Sequence, residues 1–96
     1  MTRVRRIVLD VLKPHDPSLL EFATHVTEAR SVDVATASLI ELDQEVQNVT
    51  ITVEGEALAY DAIKAAIEDL GGTVHSIDHV ACGEYVVDDQ QPNQDL

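Results

Sequence analysis

The segment Ile7-Val8-Leu9-Asp10-Val11-Leu12-Lys13-Pro14-His15 constrains the fold more than any other. A run this apolar must enter a core, and it stops abruptly at Lys-Pro-His. It predicts a buried strand over residues 3–12. A carboxylate sits in its middle, at Asp10, and Asp is disfavoured in strands. Natural sequences break local rules chiefly at functional sites, so Asp10 calls for a partner, water or an interface.

The remaining pattern completes a two-layer unit. Pro14 and Pro17 bracket a turn, with Asp16 as the predicted helix cap and Pro17 at the first helical position. Leu19, Phe22, Ala23 and Val26 follow the i, i+3, i+4, i+7 spacing of one buried stripe, giving a helix over 17–29. Residues 31–43 are rich in Val, Ala, Thr and Ile and read as a second strand. Asp43-Gln44-Glu45 is a turn. Residues 46–54 alternate, with Val49, Ile51 and Val53 on one side and Asn48, Thr50 and Thr52 on the other. A second helix spans 57–70, with Leu58, Ile63, Ala66, Ile67 and Leu70 apolar and Gly71-Gly72 ending it. A last strand runs over 73–87. The order β-α-β-β-α-β predicts an α+β, ferredoxin-like sandwich: a four-stranded antiparallel sheet, order 4-1-3-2, with two helices on one face. Residues 1–87 form one domain, and the polar stretch 88–96 reads as a disordered tail.

Charge narrows the function classes. With 18 acidic and 6 basic residues the net charge is -12. Nucleic acid needs a basic face to displace counterions, and anionic membrane surfaces need the same, so both are excluded as partners. A dispersed acidic surface suits divalent cations, a basic partner or a salt-rich cytoplasm that screens its self-repulsion. The lone Cys82 permits no internal disulfide and reads as a small buried hydrophobe. The short N-terminal apolar run is too polar for a signal peptide or a membrane span, which points to a cytoplasmic protein.

Two helices cover only one face of such a sheet. Strand alternation sends Ile7, Leu9 and Val11 toward the helices and Arg6, Val8, Asp10 and Leu12 to the open face. On the second strand Ala35, Ala37 and Leu39 face inward, while Ile40 and Leu42 point outward. On the last strand His75, Ile77 and His79 share a face. Val8, Leu12, Ile40, Leu42 and Ile77 then form an apolar patch on the open face, a predicted contact between subunits.

One edge of the sandwich gathers Asp10, His15, Asp16, Glu41, Asp43, Glu45 and His75. Asp10, Glu41, Asp43 and His75 are the candidate metal ligands, an oxygen-rich set that suits calcium or magnesium. Asp10 and His75 lie on neighbouring strands and form the expected carboxylate–imidazole pair. His75 and His79 have the spacing of a helical zinc pair. In a strand, though, four residues span about 13 Å, too far to share one ion. No nucleophile elbow, phosphate-cradling glycine loop or paired catalytic carboxylate setting occurs, so no enzyme is predicted.

Three stretches together resemble the archaeal DUF211 family: the motif of residues 7–15, Ile40-Glu41-Leu42-Asp43, and Gly71-Gly72-Thr73-Val74-His75-Ser76-Ile77-Asp78. The resemblance runs over residues 5–83. It implies a ferredoxin-like fold, an archaeal source, ring-like or larger homo-oligomers and divalent-cation binding, calcium first. The acid excess adds a haloarchaeal source. The loop Ser31-Val32-Asp33-Val34 departs from the family's pattern in lacking glycines. The expected function is therefore a non-enzymatic, self-assembling protein, ring or filament, that binds divalent cations and needs no organic cofactor. The alternative is an ACT-like small-molecule sensor with ligands between subunits, an analogy of fold alone.

Overall fold

A computed structural model of the chain describes residues 2–84. The order is β1 (Val4–Pro14), α1 (Leu19–Thr27), β2 (Val34–Leu42), β3 (Val46–Glu54), α2 (Tyr60–Asp69) and β4 (Thr73–Cys82). The sheet order is β2-β3-β1-β4, every pairing antiparallel, the predicted 4-1-3-2 arrangement read from the other edge. The tail over residues 88–96 lies outside the described residues.

β1 organises the core because its alternation is continuous. Ile7, Leu9 and Val11 are buried, and they stand opposite the buried Val53, Ile51 and Val49 of β3. Side chains of directly opposed strand residues share a face, so these form the floor on which Phe22, Val26, Ile63 and Ile67 of the helices pack. The strand runs two residues past its predicted end, and the same alternation carries Lys13 into the buried layer.

α1 starts later than the prolines suggest. Ser18, not Asp16, is the N-cap: its Oγ accepts from the Glu21 N–H at 3.1 Å, and the Glu21 carboxylate accepts from the Ser18 N–H at 3.4 Å. This capping box satisfies two orphan donors. Pro17 stays in the turn, behind a cis Asp16–Pro17 bond. α2 begins at Tyr60, so Leu58 precedes it and instead donates its N–H to the Val4 carbonyl at 2.9 Å.

The glycine-poor α1–β2 loop is accommodated by serine. Ser31 adopts φ 84°, the left-handed region where glycine is ordinarily favoured. Its Oγ accepts from the otherwise uncapped Ala59 N–H at 2.8 Å and so tethers the start of α2. At the other end of α2, Gly71 and Gly72 donate to the Glu68 and Ile67 carbonyls at 3.0 Å, the Schellman pattern, with Gly71 at φ 83°. Cys82 is exposed at the end of β4 and not buried as its residue type suggested, because an edge strand has a neighbour on only one side.

Gly72 has a second role. A Cβ there would lie 2.8 Å from Phe22 Cζ and 2.9 Å from Ile67 Cγ2, inside two fully buried side chains. Gly72→Ala should therefore cost about 1–3 kcal/mol of overpacking. In a domain of this size that lowers Tm by roughly 5–20 °C. Thermal unfolding followed by circular dichroism checks this; an unchanged Tm would mean that Phe22 and Ile67 are looser than described.

Candidate functional site

The register of the strands fixes what the uncovered face displays. Across it run four rows: Val34, Glu54, Arg6 and Ala81; Thr36, Thr52, Val8 and His79; Ser38, Thr50, Asp10 and Ser76; Glu41, Asn48, Leu12 and Thr73. Val8 and Leu12 are there as predicted, half-buried among hydroxyls and charges. Arg6 closes one end through its 2.8 Å bond to Glu54.

Leu42 and Ile77, two other expected members of the apolar patch, are elsewhere, and β-bulges are the reason. Between Leu39 and Glu41 the β2 pairing skips a residue, leaving Ile40 as the extra one. Leu42 then stands opposite Gln47, on the helix side of the sheet. In β4 the pairing with β1 skips His75 and Asp78. Ile77 stands opposite Leu9 and Val80 opposite Ile7, again on the helix side. Each extra residue reverses the alternation beyond it, so a face assigned by simple period-two counting is wrong past the β2 bulge and between the two β4 bulges, and right again past Asp78. The open face is a Ser/Thr-rich surface with Asp10 at its centre and Glu54 and Glu41 in its outer rows, and not the expected apolar patch.

Asp10 is the central carboxylate of this face. It is half-buried at the centre of the face, with Thr50 and Ser76 as its direct cross-strand neighbours. Among the described residues its side chain has no hydrogen bond or ion pair. The expected Asp10–His75 contact does not form, because His75 is the bulged residue and Ser76 takes the place opposite Asp10. Ser76 in turn donates to Asp78 at 2.7 Å across the second bulge, which accounts for the Ser-x-Asp spacing.

The four expected ligands are dispersed. Glu41 and His75 lie on opposite edge strands, three strand spacings or about 14 Å apart. Asp10 sits between them, and Asp43 is in the β2–β3 turn, where its Oδ1 accepts from the Gln44 N–H at 2.6 Å. Among the described residues no three His, Cys, Asp or Glu side chains come together to hold a metal ion. Glu41 and Asp43 do share a concavity of about 300 Å³ with Leu12, Leu42, Val46 and Asn48. His15 reaches the same turn: its Nε2 lies 2.9 Å from the Asp43 and Gln44 carbonyls, to which a protonated Nε2 donates. It pins the β1–α1 turn to the hairpin.

Lys13 was missed as a site residue, although counting the alternation two residues further would have placed it in the core. It is fully buried, its Nζ donating to the Pro14 carbonyl at 2.8 Å and to Gln47 Oε1 at 3.1 Å, 5.9 Å above the Phe22 ring. The two acceptors and the ring face serve the ammonium's three donors. Desolvation holds its pKa below the usual lysine value, with Asp16 opposing that shift.

These observations describe a small sandwich with a half-buried carboxylate on its uncovered face that has no hydrogen bond or ion pair among the described residues, and sequence comparison says what kind of chain it is. Residues 5–96 match the DUF211 family, described as uncharacterized ArCR. The chain belongs to the DUF211 family. An uncharacterized protein of Methanocaldococcus jannaschii is 42% identical over 95 residues, covering 99% of this chain and 98% of that one. Among the described residues of this DUF211 protein no helix is long and apolar enough to cross a membrane.

Lys13 makes a pH-dependent contribution with a definite sign. Its folded-state pKa is below the unfolded value of 10.5, so the unfolded chain binds more protons between the two. Stability should then rise with pH across that window. Lys13→Met, a volume-conserving exchange, should remove this alkaline gain and leave stability at pH 7 equal or higher. Urea unfolding of both proteins from pH 7 to 11 reads the difference; parallel curves would contradict the assignment.

Proposed function

We propose that this DUF211 protein is a non-enzymatic, self-assembling domain that binds divalent cations, calcium or magnesium, between its copies. The observation that carries the reading is Asp10: a half-buried carboxylate that its own subunit leaves without a partner among the described residues. Desolvating an ionised carboxylate is costly unless something compensates it. A hard cation does so well, and the Thr50 and Ser76 oxygens flanking Asp10 are of the type such ions accept. Glu41 and Asp43 of one copy and His75 of another would complete the ligand set across a boundary. Assembly is supported by the half-exposed apolar side chains of both edge strands. The charge of -12 resists association by self-repulsion, which dense salt or bound cations relieve. A salt-rich haloarchaeal cytoplasm is the setting that we assign.

A second reading, a small-molecule sensor, draws on the groove lined by Leu20, Thr24, His25 and Leu70, about 490 Å³ in volume. A size in the ligand range favours it. It predicts a ligand-induced rise in Tm with a subunit mass that ignores chelators.

Light scattering at high salt, with calcium, with magnesium and with a chelator, tests the first reading. Expected are a multimeric mass that falls on chelation and a measurable heat of calcium binding. Asp10→Asn should weaken cation affinity roughly tenfold or more. Its effect on the unfolding free energy in chelator should stay within about 0.5 kcal/mol, because no hydrogen bond or ion pair to a described residue is lost. A monomer in every condition, or calcium calorimetry without heat, sinks the reading.

A further inference from the structure

We infer that the groove between α1 and the end of α2 is a site for a small organic cation, an ammonium or guanidinium head on an apolar body. The inference rests on the small-molecule reading and assigns the chemical class of the ligand. The groove holds about 490 Å³. Pro17, Leu20 and Leu70 supply its apolar walls, and Glu21, Thr24, His25 and Glu28 its polar rim. Leu20 is 79% exposed, the most exposed large apolar side chain among the described residues. Core packing does not require it, since Phe22 and Val26 are the fully buried residues that seat α1 on the sheet.

Charge decides the class. α1 is capped at its C-terminal end by Glu28, and α2 finishes on Glu68 and Asp69, with no basic residue in its last turn. A helix C-terminus carries partial negative charge and favours cations, so carboxylates there break the local rule. The two ends meet at His25, whose Nδ1 lies 3.4 Å from the Glu28 carboxylate and whose Nε2 lies 3.6 Å from that of Asp69. Both distances exceed the roughly 2.7–3.2 Å of a good hydrogen bond. Among the described residues neither carboxylate has another side-chain partner. Thr24 donates its hydroxyl to the Leu20 carbonyl at 2.8 Å, so it has no proton left for an anion. Glu21 adds a third carboxylate to the rim. The same field disfavours two other occupants: a second copy, at a net charge of -12, and the end of the chain itself, with Asp88, Asp89 and Asp95 and no cation. A cation whose body lies against Leu20 and Leu70, with its head at Glu28 and in the field of Asp69 and Glu21, answers the apolar walls and the acidic rim together.

Ligand-observed saturation-transfer NMR on the full chain tests the inference, because it reads weak binding at any subunit mass. The probes are phenethylammonium, neutral phenethyl alcohol and anionic phenylpropionate, at pH 8 and low salt, with a chelator so that no divalent ion competes. The cation should bind about three- to tenfold more tightly than the alcohol, and the anion most weakly. Glu28→Gln with Asp69→Asn should abolish the cation's advantage and leave the alcohol unchanged. Leu20→Ser should weaken cation and alcohol alike, by about threefold. All three positions are exposed, and circular dichroism confirms that the variants fold. Equal binding of the three probes, or a cation preference that survives Glu28→Gln with Asp69→Asn, overturns the inference and leaves the groove as a small-molecule site. Binding that ignores Leu20→Ser, or no binding of any probe at millimolar concentration, removes the groove and the small-molecule reading with it.

Discussion

The alternation of β1 is the constraint on which the rest depends. Ile7, Leu9 and Val11 share one side of a central strand flanked on both sides, by β3 and β4. Burying them fixes the register with β3, since a slip of one residue would send all three to water and draw Asp10 into the core. Burial of side chains of this size is worth about 1.5–3 kcal/mol each. No surface interaction here competes with that. The cap at Ser18, the Schellman turn at Gly71-Gly72 and the fit of Gly72 beneath Phe22 all serve to seat the helices on this floor.

The same alternation produces the two unusual ionisable groups. Continued toward the C-terminal end of β1, it buries Lys13, which is satisfied locally by Gln47, the Pro14 carbonyl and the Phe22 ring. On the other phase it presents Asp10 at the centre of the uncovered face, where its neighbours are hydroxyls. Lys13 is a charge that the fold itself accommodates. Asp10 is one without a hydrogen bond or ion pair among the described residues, which is why the proposed function is built on it.

Legibility in the sequence was uneven for a physical reason. Elements whose burial shows as a period, such as β1, β3 and the stripe of α1, were read with their correct facing. β2 and β4 were identified as strands, but the facing expected from alternation fails beyond Ile40 in β2 and between His75 and Asp78 in β4; past Asp78 the second bulge restores it for His79 and Val80. A bulge adds one residue without any distinctive side chain, and nothing in Leu39-Ile40-Glu41 or Val74-His75-Ser76 announces it. The expected patch of Val8, Leu12, Ile40, Leu42 and Ile77 loses two of its members for that reason. Leu42 and Ile77 lie on the other face, and what remained on the open side was hydroxyl-rich. The Asp10–His75 pair failed by a single position, with Ser76 in its place.

The sequence by itself determined the element order, the sandwich, the buried face of the central strand, the acidic surface and, through three motifs, the DUF211 family. These rest on periodicity, composition and short patterns, all of which are local. Only the tertiary structure decided which residues share a row across four strands, because pairing register is a property of neighbours far apart in the chain. It moved Leu42 and Ile77 into the helix-side layer at the edges, and it set Glu41 and His75 on opposite edges of the sheet. Asp10 stood out in the sequence as a carboxylate in an apolar strand; the structure showed that no described side chain of its own subunit answers it.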